Sequence, residues 1–302
     1  MESGSRPYRD GPAPGTAAPG NGMAPAPRPV SRFEATAWRV LAWTPSAAAA
    51  YVALGTVGGC RPIGDATPRV VLLGILWGVL VYGAAFALRA WAHRAWPHAQ
   101  QALRAGDDVA AEAAMRRICT MTRVAPDYHA ACLGGLAQVA MRRGELDTAR
   151  AILESTLATP WLVGPGRAGL LYTLSSVHAL AGRPAEGRRS LAAGDAVAPQ
   201  RLAVWSAVAG AHLAIAEGAF AEARAKLDAV SKRAEDLQSV ASSKLAQALR
   251  AYCAQKTGST PDEVGALLAS ASPLSRRQVG HYLRAWADFE AFVVERGVVV
   301  EG

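Results

Sequence analysis

Two uncharged apolar stretches, Val40–Cys60 and Val70–Leu88, stand nine residues apart in this chain of 302 residues. They run 21 and 19 residues, and about 20 apolar helical residues cross the hydrocarbon core of a bilayer. Such segments change the solvent around the chain, so nothing else in it restricts the fold as much. The loop between them, Arg61–Arg69, holds Pro62, Gly64 and Pro68, which break a helix. The two stretches therefore read as a transmembrane helical hairpin within residues 37–92, with spans over about 40–60 and 70–88. Pro45 lies near the start of the first span, where a helix tolerates proline. Trp38 and Trp43 mark one edge, and Trp91 and Trp96 the far end of the second span, the placement of an aromatic belt.

Gly74 and Gly78 form a GxxxG pair on the second span, and Ser46/Ala50 and Ala49/Ala53 offer small faces on the first. In lipid, close backbone approach supplies the packing energy between helices. These faces join the two spans, or else join hairpins of separate copies into a homo-oligomer. Arg28, Arg32 and Arg39 precede the first span and Arg89, Arg94 and Arg104 follow the second, against Arg61 and Arg69 in the loop. Six against two predicts both termini on the cytoplasmic side of a membrane. The heavy use of arginine over lysine (28 against 4) points to a GC-rich bacterial genome and so to a bacterial inner membrane.

The net charge of +8 is uneven. Residues 1–96 hold nine arginines and four acids, a surplus of +5, and residues 97–302 hold 23 basic and 20 acidic residues, a surplus of +3. The excess flanks the apolar spans, where it serves orientation and headgroup contact. A nucleic-acid partner would want a basic stripe on the folded domain, and none is called for. Residues 1–36 form a Pro/Gly/Ala-rich tail: 17 of its first 30 residues are Pro, Gly or Ala, a composition that predicts disorder. Cys60, Cys119, Cys132 and Cys253 are widely spaced with no CxxC pair and read as reduced thiols in packed helices.

Beyond the spans, strand formers do not cluster and alanine, the best helix former, is abundant. The fold class is all-α. Glycines fall at Gly106, Gly144, Gly182, Gly218 and Gly258, at intervals of 38, 38, 36 and 40 residues. Each follows an apolar helical stretch, where a left-handed C-terminal cap wants glycine. A small residue comes five positions later at Ala111, Ala149, Gly187 and Ala223, while Gly258 is followed by Glu263. Periods of this length signal stacked helix pairs. One unit supplies Leu133, Leu136-Ala137, Ala140, Gly144, Ala149, Leu153 and Pro160. The next supplies Leu171, Leu174-Ser175, His178, Gly182, Gly187, Leu191 and Pro199, and the third Gly210-Ala211, Ala214, Gly218, Ala223 and Leu227. This pattern resembles the tetratricopeptide repeat (TPR), and the resemblance implies a TPR-like α-solenoid over residues 97–297. The last stretch, Arg276–Val294, carries Val279, Tyr282, Leu283, Trp286, Phe289, Phe292 and Val293 on one stripe, as a helix capping the solenoid's open end would.

Solenoids of helix pairs bind extended peptides or partner helices on the concave face made by the first helix of each pair. The resemblance implies a groove containing Gln138, Met141, Tyr172, Ser176, Trp205, His212 and Tyr252, and a protein or peptide partner. The expected function is a membrane-tethered scaffold or adaptor. A structural subunit of a membrane complex, held by the hairpin, is the alternative, and an enzyme with an unrecognised site a remote third.

Catalytic and metal chemistry finds no footing in the pattern. Gly164, Gly166 and Gly169 spell G-x-G-x-x-G, but the dinucleotide fingerprint needs a preceding strand; here it reads as a turn between repeats. The histidines make no HxxxH or HExxH pair, so no metal site is expected. No cofactor is expected either, and no nucleophile sits in a recognised elbow. Arginine pairs such as Arg142-Arg143 and Arg188-Arg189 fall late in helices or in turns. There they complement the helix dipole or touch anionic headgroups.

Overall fold

The computed structural model describes residues 66–122, 126–159, 162–198, 202–231 and 240–301. The tail, the first apolar stretch, most of the loop after it, Cys60, Pro160 and Pro199 lie outside these residues. The described chain is helical, with twelve helices and two short strands.

Helix α1, Ala66–Ala105, carries the second apolar stretch and runs on through Pro97 without a break, although proline removes one helical hydrogen bond. Its stretch Gly74–Ala105 is long and apolar enough to cross a membrane, with a mean hydropathy of 1.5 and 11% of the most apolar window buried. Leu72, Ile75, Leu76, Trp77, Val79, Leu80 and Phe86 are exposed. One stripe differs: Gly78 is buried, and Gly74, Val81, Ala85 and Leu88 are half-covered. These positions recur every three or four residues, so they share one face of the helix.

From Ala92 onward α1 turns from exposed to packed, and the remaining helices follow as pairs: α2 (Asp108–Met121), α3 (Pro126–Arg143), α4 (Leu146–Leu157), α5 (Gly164–Leu180), α6 (Pro184–Asp195), α7 (Ala203–Ala216), α8 (Phe220–Ser231), α9 (Val240–Lys256) and α10 (Pro261–Ala271). Each odd-numbered helix packs on the even-numbered one after it, and α2, α4, α6 and α8 each on the next odd one. The odd-numbered α3, α5 and α7 also pack on one another in chain order.

The five evenly spaced glycines all take positive φ, between 69° and 84°, the left-handed region that only glycine enters without strain. At each of them the same two bonds close the helix. At Gly144 they are Gly144 N–H to the Met141 carbonyl and Glu145 N–H to the Ala140 carbonyl, both 2.9 Å. This is the Schellman cap. Ala111, Ala149 and Ala223 are fully buried, and Gly187 is buried too. The close approach at Gly187 has a direct cause: a Cβ there would meet Leu213 and stand 3.1 Å from the Ser175 carbonyl oxygen.

The fifth unit differs in register. The turn after Gly258 is one residue longer, and Thr260 caps α10, its hydroxyl accepting from Glu263 N–H at 3.3 Å. Glu263 is exposed and Val264, 3% exposed, takes the buried crossing position, with Leu268 one turn on. The charged residue at the expected small position is thus a shift by one, not a loss of the packing pattern.

The terminal stretch also departs from expectation. It breaks at Trp286 (φ −125°, ψ 84°) into α11 (Arg276–Ala285) and α12 (Ala287–Glu295). Helix α12 packs on α9, while α11 crosses back to α3. Just before α11, β1 (Leu274–Ser275) pairs in parallel with β2 (Val299–Val300). The stripe expected to cap one open end is therefore divided between two helices facing different neighbours.

Several arginines, some from the arginine pairs, act between neighbouring helices. Arg142 lies 3.2 Å from Asp108 and Arg143 2.7 Å from Glu112, both across from α3 to α2. Arg188 pairs with Glu217 and Arg224 with Glu263. Burial pushes the Asp108 carboxyl above its ordinary value despite the Arg142 charge beside it. Cys119, Cys132 and Cys253 are buried, and burial pushes the Cys132 and Cys253 thiols up, the latter to about 12.

Candidate functional site

The odd-numbered helices share an inner face, and along it runs a cavity of about 640 Å³. Helix α3 contributes Ala131, Gly134, Gly135, Gln138 and Met141; α5 contributes Gly166, Gly169, Leu170, Thr173 and Ser176; α7 contributes Trp205, Val208, Ala209 and His212. Within each helix these residues recur at three- and four-residue spacing, so each row is one helical face. Trp96, Gln100, Leu103 and Arg104 come from α1, and Ser242 and Leu245 from α9. Met115 is the one lining residue from an even-numbered helix. It reaches the cavity because Gly135 leaves room: a Cβ there would clash with the Met115 thioether.

Helix α11 closes the far side with Gln278, Val279, His281 and Tyr282. Gln278 donates from Nε2 to the Arg104 carbonyl at 2.9 Å, and Arg284 from Nη2 to the Arg142 carbonyl at 2.5 Å. Arg142 in turn donates to the Leu103 carbonyl. The inner face is thus roofed by the chain's own penultimate helix.

Six of the seven residues expected in the groove line this one cavity: Gln138, Met141, Tyr172, Ser176, Trp205 and His212. Tyr252 does not. It is buried in an aromatic cluster with Phe220, Phe289 and Phe292, ring centroids 5.5–5.6 Å apart. Gly74 and Gly78 lie on α1, on its covered stripe, away from the cavity lining. Sequence reasoning missed Trp96, Arg104, Gln278, His281 and Tyr282. The i, i+4, i+7 spacing of Trp96, Gln100 and Leu103 was a legible signal. The α11 residues carried none, since only the return of the chain places them here.

Several of the polar groups are buried. His212 Nδ1 lies 3.0 Å from Ser176 Oγ, and its ring stands 5.1 Å from Tyr282 and 5.9 Å from Trp286. Burial lowers His212 to about 4. Burial, with the charges of Arg142, Arg284 and His212, lowers His281 to about 3. Both imidazoles are neutral at pH 7. His281 is 6% exposed and its Nδ1 has no hydrogen-bond partner. The Tyr172 hydroxyl donates to Asp195 at 2.9 Å, and burial together with that bond pushes its phenol up to about 12. Asp195 also accepts from Ser206 at 2.7 Å, in a separate cleft of about 580 Å³ on the far side of Tyr172.

The Ser176–His212 pair has the spacing of a nucleophile and its base, but no carboxylate lines the cavity to orient or offset the imidazolium such chemistry would form. The space is mostly apolar and aromatic-walled, with polar side chains set into it, the usual composition of a ligand pocket. The three glycines of G-x-G-x-x-G sit at the start of α5, with Val163 as N-cap and no strand before them among the described residues. Gly166 and Gly169 serve the cavity instead, and a Cβ on Gly169 would meet nothing within 4 Å. No group of three or more His, Cys, Asp or Glu among the described residues is placed to hold a metal ion. No protein-family model matches the chain, and no curated protein or solved structure does.

Proposed function

We propose that this chain is a membrane-tethered protein-interaction scaffold, with a tetratricopeptide-like solenoid that takes a partner protein or peptide on its inner face. The observation that carries the reading is the gathering of Gln138, Met141, Tyr172, Ser176, Trp205 and His212 around one cavity built by the odd-numbered helices. Aromatic residues in a desolvated recess are the usual anchors of a partner side chain, and Tyr172 and Trp205 supply them. The exposed apolar length of α1 supports the tether. In this reading Val40–Cys60 completes a hairpin in a bacterial inner membrane, with both termini and the repeats on the cytoplasmic side, as the arginine count favours.

A photoreactive amino acid at Trp205, in the full chain in intact membranes, tests the proposal. One defined protein adduct from Trp205, and none from Val109 on the outer surface of α2, is the supporting result. Equal labelling from both positions overturns it.

A further inference from the structure

We propose that the inner cavity is a binding site for a single-chain amphiphile with a carboxylate head, its head at Arg104 and its apolar chain running past α3 and α5 to Trp205. The inference goes beyond the scaffold reading and stands without it.

Size comes first. Because α11 roofs the inner face, the space is a recess of about 640 Å³ rather than an open trough, within the range of small-molecule sites. A partner protein could insert a side chain or two there, not a length of chain.

Shape comes second. The stack α1–α3–α5–α7 makes the recess long. Helix axes lie roughly 8–10 Å apart, so three spacings span about 25–30 Å. Leu103, Met141, Leu170 and Trp205 make most of that wall apolar.

Charge decides the head group. No Asp or Glu lines the cavity, and its charged residues are Arg104 and Arg142. Arg142 is already committed to Asp108 and the Leu103 carbonyl. The Arg104 side chain bonds only Gln100, 3.3 Å away on its own helix. Among the described lining residues Arg104 is the cation with no acidic partner, and at the α1 end of a recess whose other charge, Arg142, is already paired, it is complementary to one anion. The unpartnered His281 Nδ1, buried in the wall, adds a polar group with no protein partner to satisfy it, and such groups cost free energy until a ligand or water meets them. The source of the ligand is also at hand, since Arg104 closes the same helix whose Leu72–Phe86 stretch is exposed and apolar.

Octadecanoate carrying a diazirine near the end of its chain, given to the full chain in phospholipid nanodiscs, is the probe. Irradiation should label peptides of α5 and α7, alongside a background label on residues 72–86 of α1 from the bilayer. Gly169→Trp, which fills the recess where a Cβ meets no neighbour, should cut the α5–α7 label about tenfold and leave the α1 background unchanged. The matching octadecanol and octadecylamine should label α5–α7 weakly, and Arg104→Ala should erase the advantage of the acid. Far-ultraviolet circular dichroism reports whether each variant is folded, and the Arg104 variant, altered at an exposed side chain, keeps the test open if Gly169→Trp is not. Absence of the α5–α7 label, or equal labelling by acid, alcohol and amine, overturns the proposal whether or not a protein partner is ever captured at Trp205.

Discussion

Gln278 donates a hydrogen bond to the Arg104 carbonyl at 2.9 Å, tying α11 to the end of α1 across 174 positions of sequence. Arg284 makes a similar tie to α3, on the Arg142 carbonyl. Two side-chain to backbone bonds, with the Tyr282 ring against His212, hold the roof of the cavity in place. A net hydrogen bond contributes about 1 kcal/mol, so the double variant Gln278→Ala, Arg284→Ala should loosen α11 by roughly 2 kcal/mol. Amide hydrogen exchange should quicken in α11 and stay unchanged in α5 and α6. Unchanged exchange in α11 would show that packing alone holds it.

Gly187 and Gly169 are both helical glycines, and they should respond oppositely to Ala. At Gly187 the new methyl meets Leu213 and stands 3.1 Å from the fixed Ser175 carbonyl, an overpacking cost of about 1–3 kcal/mol. At Gly169 it meets nothing within 4 Å, and the better helix propensity stabilises by up to about 1 kcal/mol. Thermal unfolding of the two variants decides; a lower midpoint for Gly169→Ala than for Gly187→Ala contradicts the packing described for α5 and α6.

The shifted register of the fifth pair is tested by neighbours in sequence. Val264→Ala removes buried methyls and should cost about 1–2 kcal/mol. Glu263→Ala removes a partly exposed ion pair with Arg224, a loss below about 1 kcal/mol. If Glu263→Ala proves the more damaging, then Glu263 and not Val264 occupies the crossing.

Histidine burial sets a pH dependence. Folded His212 titrates at about 4, below its ordinary 6.5. Above pH 6.5 both folded and unfolded chains hold it neutral and no stability is lost. Below 6.5 the unfolded chain takes up a proton that the folded chain refuses, and stability falls until the pH reaches about 4. At 1.36 kcal/mol per unit the loss is on the order of 3 kcal/mol, and His281 acts in the same direction. The unfolding temperature of the full chain in lipid nanodiscs should therefore drop between pH 6.5 and 4.5, and His212→Gln should flatten part of that slope. An identical slope in the variant removes His212 as the cause.

Helix α1 predicts firm membrane attachment. With Leu76, Val79, Leu80 and Phe86 exposed on one continuous helix, the full chain should stay in the pellet after a carbonate wash and leave it only with detergent. Recovery in the supernatant would remove the tether from the proposed function.

Much of this architecture was legible in the residues because its causes are local. A Schellman cap depends on a glycine and on carbonyls within about six residues of it, so the five turns could be placed from spacing alone. The grouping of Gln138, Ser176, Trp205 and His212 rested on the tetratricopeptide resemblance, and the four residues line one cavity. Tyr252 escaped that grouping because its row, on α9, faces Phe289 and Phe292 of a helix that arrives later in the chain.

Composition, caps and period thus determined by themselves an all-α chain of capped helix pairs and an apolar segment fit for a bilayer. Only the tertiary structure decided that α11 returns to α1 and α3, that Val264 replaces Glu263 at the crossing, and that an expected open groove is a roofed recess. The reason is physical. Helix ends respond to near neighbours, whereas closure depends on small rotations summed over successive pairs, and a cavity belongs to the space between elements far apart in sequence.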